Sequence, residues 1–236
     1  MKLTFYGHAC IGLDNGSNSI VVDPWFTGNP VSGTIPDDLN PSLILATHGH
    51  NDHLGDSAEI AKKSNATFVS TPEVCHFCAK EGVTVSPTHY GGTAKFDFAS
   101  VTLTPAWHSS SVVVGEDRLY AGNPCGFVIR FGGKTVYHAG DTCLFGDMSL
   151  IAERFSLDCA VLPIGDKFTM GPEDALRAVK LLKAKTIVPI HYNTWDPIKQ
   201  DANAFKEAVE SETSATCIVM APGESAEIWV LCIVAT

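Results

Sequence analysis

The chain has 236 residues, 45% hydrophobic and 18% charged, which is enough apolar content for one substantial core and excludes wholesale disorder. Its formal net charge of −10 argues against a broad nucleic-acid-binding face, which needs clustered Lys and Arg. An anionic small substrate stays open, because a bound divalent metal reverses the local field.

In chain order, apolar runs bounded by turn residues predict strands over residues 2–6, 19–23, 43–47, 67–70, 101–105 and 111–114. Asp14-Asn15-Gly16-Ser17-Asn18 is a turn signal between the first two. A helix is predicted over 56–63, with Asp56 as N-cap and Glu59 at capping-box spacing. Another follows Pro72, with Val74, Phe77 and Cys78 on one face. Cys75-His76-Phe77-Cys78 therefore reads as buried small residues, since no second Cys/His pair lies near to complete a zinc site. The second half predicts strands over 125–131, 135–138, 159–163 and 186–189, with Gly132-Gly133 as a hairpin turn. Helices are predicted over 172–182 and 202–210; in the first, Ala175, Leu176, Val179 and Leu182 form an apolar stripe. The two halves run alike, strands then helix. One domain of two similar halves is expected, with two sheets packed together and flanked by helices.

The first residues lack the apolar core of a signal peptide. The run 228–234 is too short for a membrane span and reads as a terminal strand. Eight scattered Cys suggest reduced thiols. A cytoplasmic protein without membrane or nucleic-acid partners is expected, and a homo-oligomer is compatible with the sequence.

Thr47-His48-Gly49-His50-Asn51-Asp52-His53 concentrates imidazoles and a carboxylate where the strand 43–47 gives way to a loop. Those groups suit metal ligation better than packing. Three more strands end in a donor: His108 follows 101–105, Asp141 follows 135–138, and His191 follows 186–189. Three neutral imidazoles can hold a divalent ion and leave positions open for water, whose pKa the ion lowers to about 7. Asp52 can orient the resulting hydroxide, bind a second ion or shuttle a proton. Asp141 could bridge two ions.

The ordered set His48-x-His50-x-Asp52-His53, His108, Asp141 and His191 resembles the metallo-β-lactamase superfamily. Tyr6-Gly7-His8-Ala9-Cys10, Asp23-Pro24-Trp25, Ala139-Gly140-Asp141-Thr142, the run 162–172 and Pro189-Ile190-His191-Tyr192-Asn193-Thr194 are similar to a family of metal-dependent hydrolases within it. Relatives of that family include ascorbate-6-phosphate lactonases and, further off, the N-acylphosphatidylethanolamine phospholipase D group. The resemblance implies a four-layer αββα sandwich with its site at one edge of the sheets. It implies one metal site of His48, His50 and His108, and a second of Asp52, His53 and His191, with Asp141 between. It also implies one or two divalent ions, zinc first, with manganese or iron as alternatives, and a small-molecule ester, lactone or phosphoester as substrate. Asp23 would fix the ligand loop by hydrogen bonds.

Other residues near these motifs have two readings each. His8 lines the site or is a hydrogen-bonded structural group. His138, before Asp141, is expected to be buried behind the ligands. Asp166 and Thr169 contact the site or substrate, or cap the helix at Pro172. Lys167 favours an anionic substrate or faces solvent. Cys143 touches an ion or is buried as a small apolar group, and Trp107 and Trp195 wall the pocket or pack in the core. Rival functions are a nuclease, an antibiotic-degrading lactamase, and an iron-containing redox or metal-sensing protein.

Overall fold

A computed structural model describes residues 1–228. The predicted terminal strand over 228–234 lies outside the described residues from position 229 onward. In chain order the strands are β1 (Lys2–Gly7), β2 (Cys10–Asp14), β3 (Ser19–Val22), β4 (Leu43–Leu45), β5 (Thr67–Ser70), β6 (Val85–Pro87), β7 (Thr93–Lys95), β8 (Ala99–Pro105), β9 (Ser111–Val114), β10 (Asp117–Tyr120), β11 (Cys125–Phe131), β12 (Lys134–His138), β13 (Cys159–Pro163), β14 (Thr186–Ile190), β15 (Thr216–Cys217) and β16 (Ser225–Glu227). The helices are α1 (Asn51–Leu54), α2 (Ser57–Ser64), α3 (Pro72–Lys80), α4 (Met148–Arg154), α5 (Pro172–Leu182) and α6 (Ala202–Glu212).

Fourteen of the strands form two sheets of seven. One has the order β16-β1-β2-β3-β4-β5-β6, the other β15-β14-β13-β12-β11-β8-β7. Each is antiparallel on one side and parallel on the other: β3 to β6 and β12 to β15 run parallel. Alternation explains the layering, because successive side chains point to opposite faces. On β4, Leu43 and Leu45 enter the core between the sheets, while Ile44 joins the layer under α2 and α3. On β11, Phe127, Ile129 and Phe131 face the other sheet, while Val128 faces α4 and α5. Burial on both faces is why these strands read as continuous apolar runs. Three apolar clusters separate four layers, the expected αββα sandwich.

The capping box predicted at the start of α2 does not form. Ser57 opens the helix after Asp56, whose side chain makes no cap bond. The Asp56 carboxylate instead accepts the amides of Phe26 and Thr27 at 2.7 and 2.9 Å, tying α2 to the loop after β3. Strands β2, β6, β7, β10, β15 and β16 and helices α1 and α4 are not predicted from the sequence. All four residues of β10 are exposed, so burial leaves no pattern there.

The strand directions matter most for the site. β1 runs with β3, since both are antiparallel to β2, and β8 runs with β12, since both are antiparallel to β11. The C-terminal ends of β3 and β4, and of β8, β12 and β14, therefore each collect at one end of their sheet. The two ends are stitched together by Cys125 N donating to Thr47 O (2.9 Å), His191 N to His8 O (2.7 Å) and His138 Nε2 to Ala9 O (3.1 Å). Phe127 is fully buried at the centre of the inter-sheet core. Phe127→Ala should cost about 3–5 kcal/mol, read as a drop in the urea midpoint at unchanged slope.

Candidate metal centre

The ligand loop begins where β4 ends and is shaped by one buried carboxylate. Asp23, at φ 49° after β3, is fully buried. It accepts the Thr47 amide at 2.7 Å, the Thr47 hydroxyl at 2.8 Å and His53 Nδ1–H at 2.8 Å. The Thr47 oxygen lies 3.0 Å from His48 Nδ1 and is free to accept from it. These partners assign the Nδ1–H tautomer to both imidazoles and turn their Nε2 lone pairs into the site. Short helix α1 then sets Asp52 and His53 side by side. It closes at Gly55, where a Cβ would meet Pro24 O at 2.5 Å.

Three groups of donor atoms each lie within 4.8 Å: His48, His50 and His108; His48, His53 and Asp141; and His8, Asp52, His53 and His191. All seven expected ligands thus converge, although they come from both sheets. Asp141 Oδ2 is the hub, at 3.1 Å from His191 Nε2, 3.3 Å from His53 Nε2 and 3.6 Å from His108 Nε2. Its approach needs Gly140, whose φ is +63° and whose added Cβ would meet Cys125 O at 2.8 Å. Asp52 Oδ2 lies 3.8 Å from His53 Nε2 and 4.0 Å from His191 Nε2.

His8 also belongs here. Its Nδ1 lies 2.8 Å from the Thr194 hydroxyl and its Nε2 lies 3.2 Å from Asp52 Oδ2. His138 stands behind the ligands. Its Nε2–H holds the Ala9 carbonyl and its Nδ1 accepts the amide of Gly140 at 3.2 Å, so it braces the turns that carry His8 and Asp141.

Burial lowers the pKa of His48 far below the ordinary value, and also lowers His50 and His108, so this trio is neutral near pH 7. His8 falls to about 4, again chiefly by burial. His53 moves the other way: burial works against its charge, but the carboxylates of Asp141, Asp23 and Asp52 prevail and raise it well above normal. Burial would raise Asp52 and Asp141, yet the charge of the neighbouring histidines holds both well below the usual carboxylate range.

This cluster fits a divalent cation. His53 Nε2 and Asp141 Oδ1 are buried without a hydrogen-bond partner. His48 Nε2 faces His50 Nδ1 at 2.9 Å, two ring nitrogens that one shared ion would satisfy together. A lone proton on His53 balances the carboxylates only partly, and a divalent ion among neutral imidazoles does so better.

A cavity of ≈ 370 Å³ opens over the cluster, lined by His50, Asn51, Asp52, His108, Asp141 and His191 together with Ser109, Arg118, Phe168 and Trp195. Asp166, Lys167 and Thr169 do not line it. Asp166 N and the Thr169 hydroxyl donate to Met170 O, and the Lys167 ammonium lies 5.8 Å from the Phe168 ring centroid. Gly171, not Asp166 or Thr169, precedes α5 as its cap. Trp195 walls the cavity, but Trp107 is 66% exposed and belongs to neither wall nor core. Cys143 is exposed rather than buried. Arg118 escaped the sequence reading, although Gly115, at φ 62°, opens a two-residue turn between β9 and β10 that signals the hairpin.

Fold and site together define a protein of the metallo-β-lactamase fold. A family model described as the beta-lactamase superfamily domain matches residues 18–192. A UPF0173 metal-dependent hydrolase of Pelotomaculum thermopropionicum is 54% identical over 97% of this chain and all of its own length. That of Desulforamulus reducens is 52% identical with the same coverage. Among solved structures, a metallo hydrolase of the hyperthermophilic archaeon Ignicoccus hospitalis superposes with a TM-score of 0.86 at 40% identity, covering 95% of this chain and 97% of its own. The chain belongs to the UPF0173 metal-dependent hydrolase family of the beta-lactamase superfamily.

Asp23→Asn keeps the side-chain size but removes the charge that orients His53. Metal affinity should fall by roughly 10–100-fold, read by competition with a chromophoric chelator. Unchanged affinity would reduce Asp23 to a packing role.

Proposed function

We propose that this protein hydrolyses an ester, lactone or phosphoester bond in a small molecule with one or two divalent ions, zinc first. The observation that carries this reading is the convergence of three neutral imidazoles, His48, His50 and His108, beside Asp141 at the floor of a cavity. On this reading His48, His50 and His108 would hold one ion and Asp52, His53 and His191 a second, with Asp141 placed beside both sets. A bound ion supplies Lewis acidity at the cleaved bond and lowers the pKa of water.

The two site carboxylates have different exposure and so different work. Both line the cavity, but the Asp141 side chain is 3% exposed and held at the centre of the cluster, while that of Asp52 is 26% exposed. Asp52 is ionised at neutral pH and is the acceptor for the proton that leaves the attacking water at its carboxylate. His8, neutral and hydrogen-bonded by Thr194, donates Nε2–H to Asp52 Oδ2 and holds that oxygen in place. It acts as a positioning residue. Trp195 and Phe168 give the cavity an apolar wall.

The cavity volume suits a small molecule. No helix among the described residues is long and apolar enough to cross a membrane. Imidazole with carboxylate suits zinc, manganese and iron alike, so elemental analysis of protein purified without added metal decides the ion. Iron with an absorption band and no hydrolysis would favour a redox or sensing protein.

His48→Ala and His108→Ala should each lose bound metal and turnover on a panel of lactones, phosphodiesters and thioesters. Full metal content in either variant overturns the ligand assignment. Chelation should abolish wild-type turnover, and added zinc should restore it. Asp52→Asn should lower kcat by roughly 10²–10⁴-fold while the ion of His48, His50 and His108 is retained. Loss of metal instead would make Asp52 a ligand only.

A further inference from the structure

We propose that Arg118 selects the substrate, and that the substrate carries an oxyanion, a carboxylate or phosphate group, set apart from the bond that is cleaved. The bond cleaved rests on the hydrolase reading above, but the anion site does not.

Among the described residues, Arg118 is the one Lys or Arg lining the cavity. The histidines there point into the donor cluster, so the guanidinium is the cation left to meet a ligand. Its place is built rather than accidental. It sits on β10, in a two-stranded ribbon separate from both sheets. That ribbon is locked to the ligand loop by buried Ser110, whose hydroxyl accepts Gly49 N–H at 3.0 Å and donates to Ala121 O at 3.1 Å. Buried Val112 packs where Gly49 lacks a side chain, since a Cβ there would meet Val112 Cγ2 at 2.7 Å. The ribbon and the His48–His53 loop therefore keep a set spacing.

Arg118 Nη1 donates to Ser111 Oγ at 3.1 Å, and among the described residues no salt bridge joins a carboxylate to the guanidinium. The two carboxylates in the same cavity, Asp52 and Asp141, are engaged by His8, His53, His108 and His191. A guanidinium presents five N–H donors in a planar fork that matches an oxyanion with two bonds. Here one hydrogen bond, to Ser111, engages that fork, and Arg118 lines the cavity. Phe168, 46% exposed, and Trp195 also line the cavity. The matching ligand is a small molecule with an oxyanion at one end, an apolar segment, and the hydrolysable bond over the cluster.

Phenylphosphonate binding to the metal-loaded protein tests this by calorimetry, with bound metal measured in each sample. Arg118 is exposed, so its replacement spares the core. Arg118→Ala should bind at least about tenfold more weakly at unchanged metal content, and Arg118→Lys should recover only part of the loss, because an ammonium lacks the fork. Equal affinity in wild type and Arg118→Ala overturns the proposal, since an anion held by metal alone does not sense the guanidinium. In parallel, the KM of a carboxylate-bearing phenyl ester, taken relative to its neutral methyl ester counterpart, should rise about tenfold in Arg118→Ala. An unchanged ratio counts against the proposal. Phosphonate discrimination without turnover of any ester, lactone or phosphoester would sink the hydrolase reading and leave the anion site standing.

Discussion

The carboxylate of Asp23, removed from water between the two sheets, accepts three hydrogen bonds from the ligand loop. A buried charge without such partners would be costly. With them it becomes a rigid template. It orients His53 directly and His48 through the Thr47 hydroxyl, so two imidazoles present the same ring nitrogen to the site. Asp23 lies far from the cluster in sequence and is not one of its donors. The cluster's geometry nonetheless starts from it.

Around that template the backbone is held in conformations it would not choose. His8, Asp23 and His191 are all non-glycine residues with φ between 49° and 55°. Such residues cost on the order of 1–3 kcal/mol each and persist only where the surroundings over-determine them. The surroundings here are three apolar clusters that lock the sheets and helices together, and the backbone bonds that join the two sheets at the site. His8 and His191 share one of those bonds. Folding energy from the core is thus spent on local strain at the chemistry.

The electrostatics divide the work among elements. Burial keeps His48, His50 and His108 neutral, which is the form that binds metal. Carboxylates concentrate negative charge next to them, a field that favours a bound cation. These donors all come from strand ends and from one short helix. The cation that meets a ligand comes from a separate ribbon, so exposed positions of β10 can tune substrate preference, whereas β9 packs on Gly49 of the donor loop through Val112.

The sequence by itself determined the donor types, their order and the buried strands that carry them. Strands such as 125–131 and 159–163 were legible because burial on both faces leaves continuous apolar runs. The His48–His53 loop was legible because so many imidazoles in so few positions have no packing rationale. Tertiary structure alone decided the rest. It drew His8 against Asp52, turned Asp56 from a helix cap into a loop anchor, exposed Trp107 and Cys143, left Lys167 off the cavity wall and supplied Arg118 instead. The physical reason is range. Local pattern reports how a segment is buried and which way its side chains alternate, whereas a site depends on which distant segments meet, and strand direction and sheet packing set that.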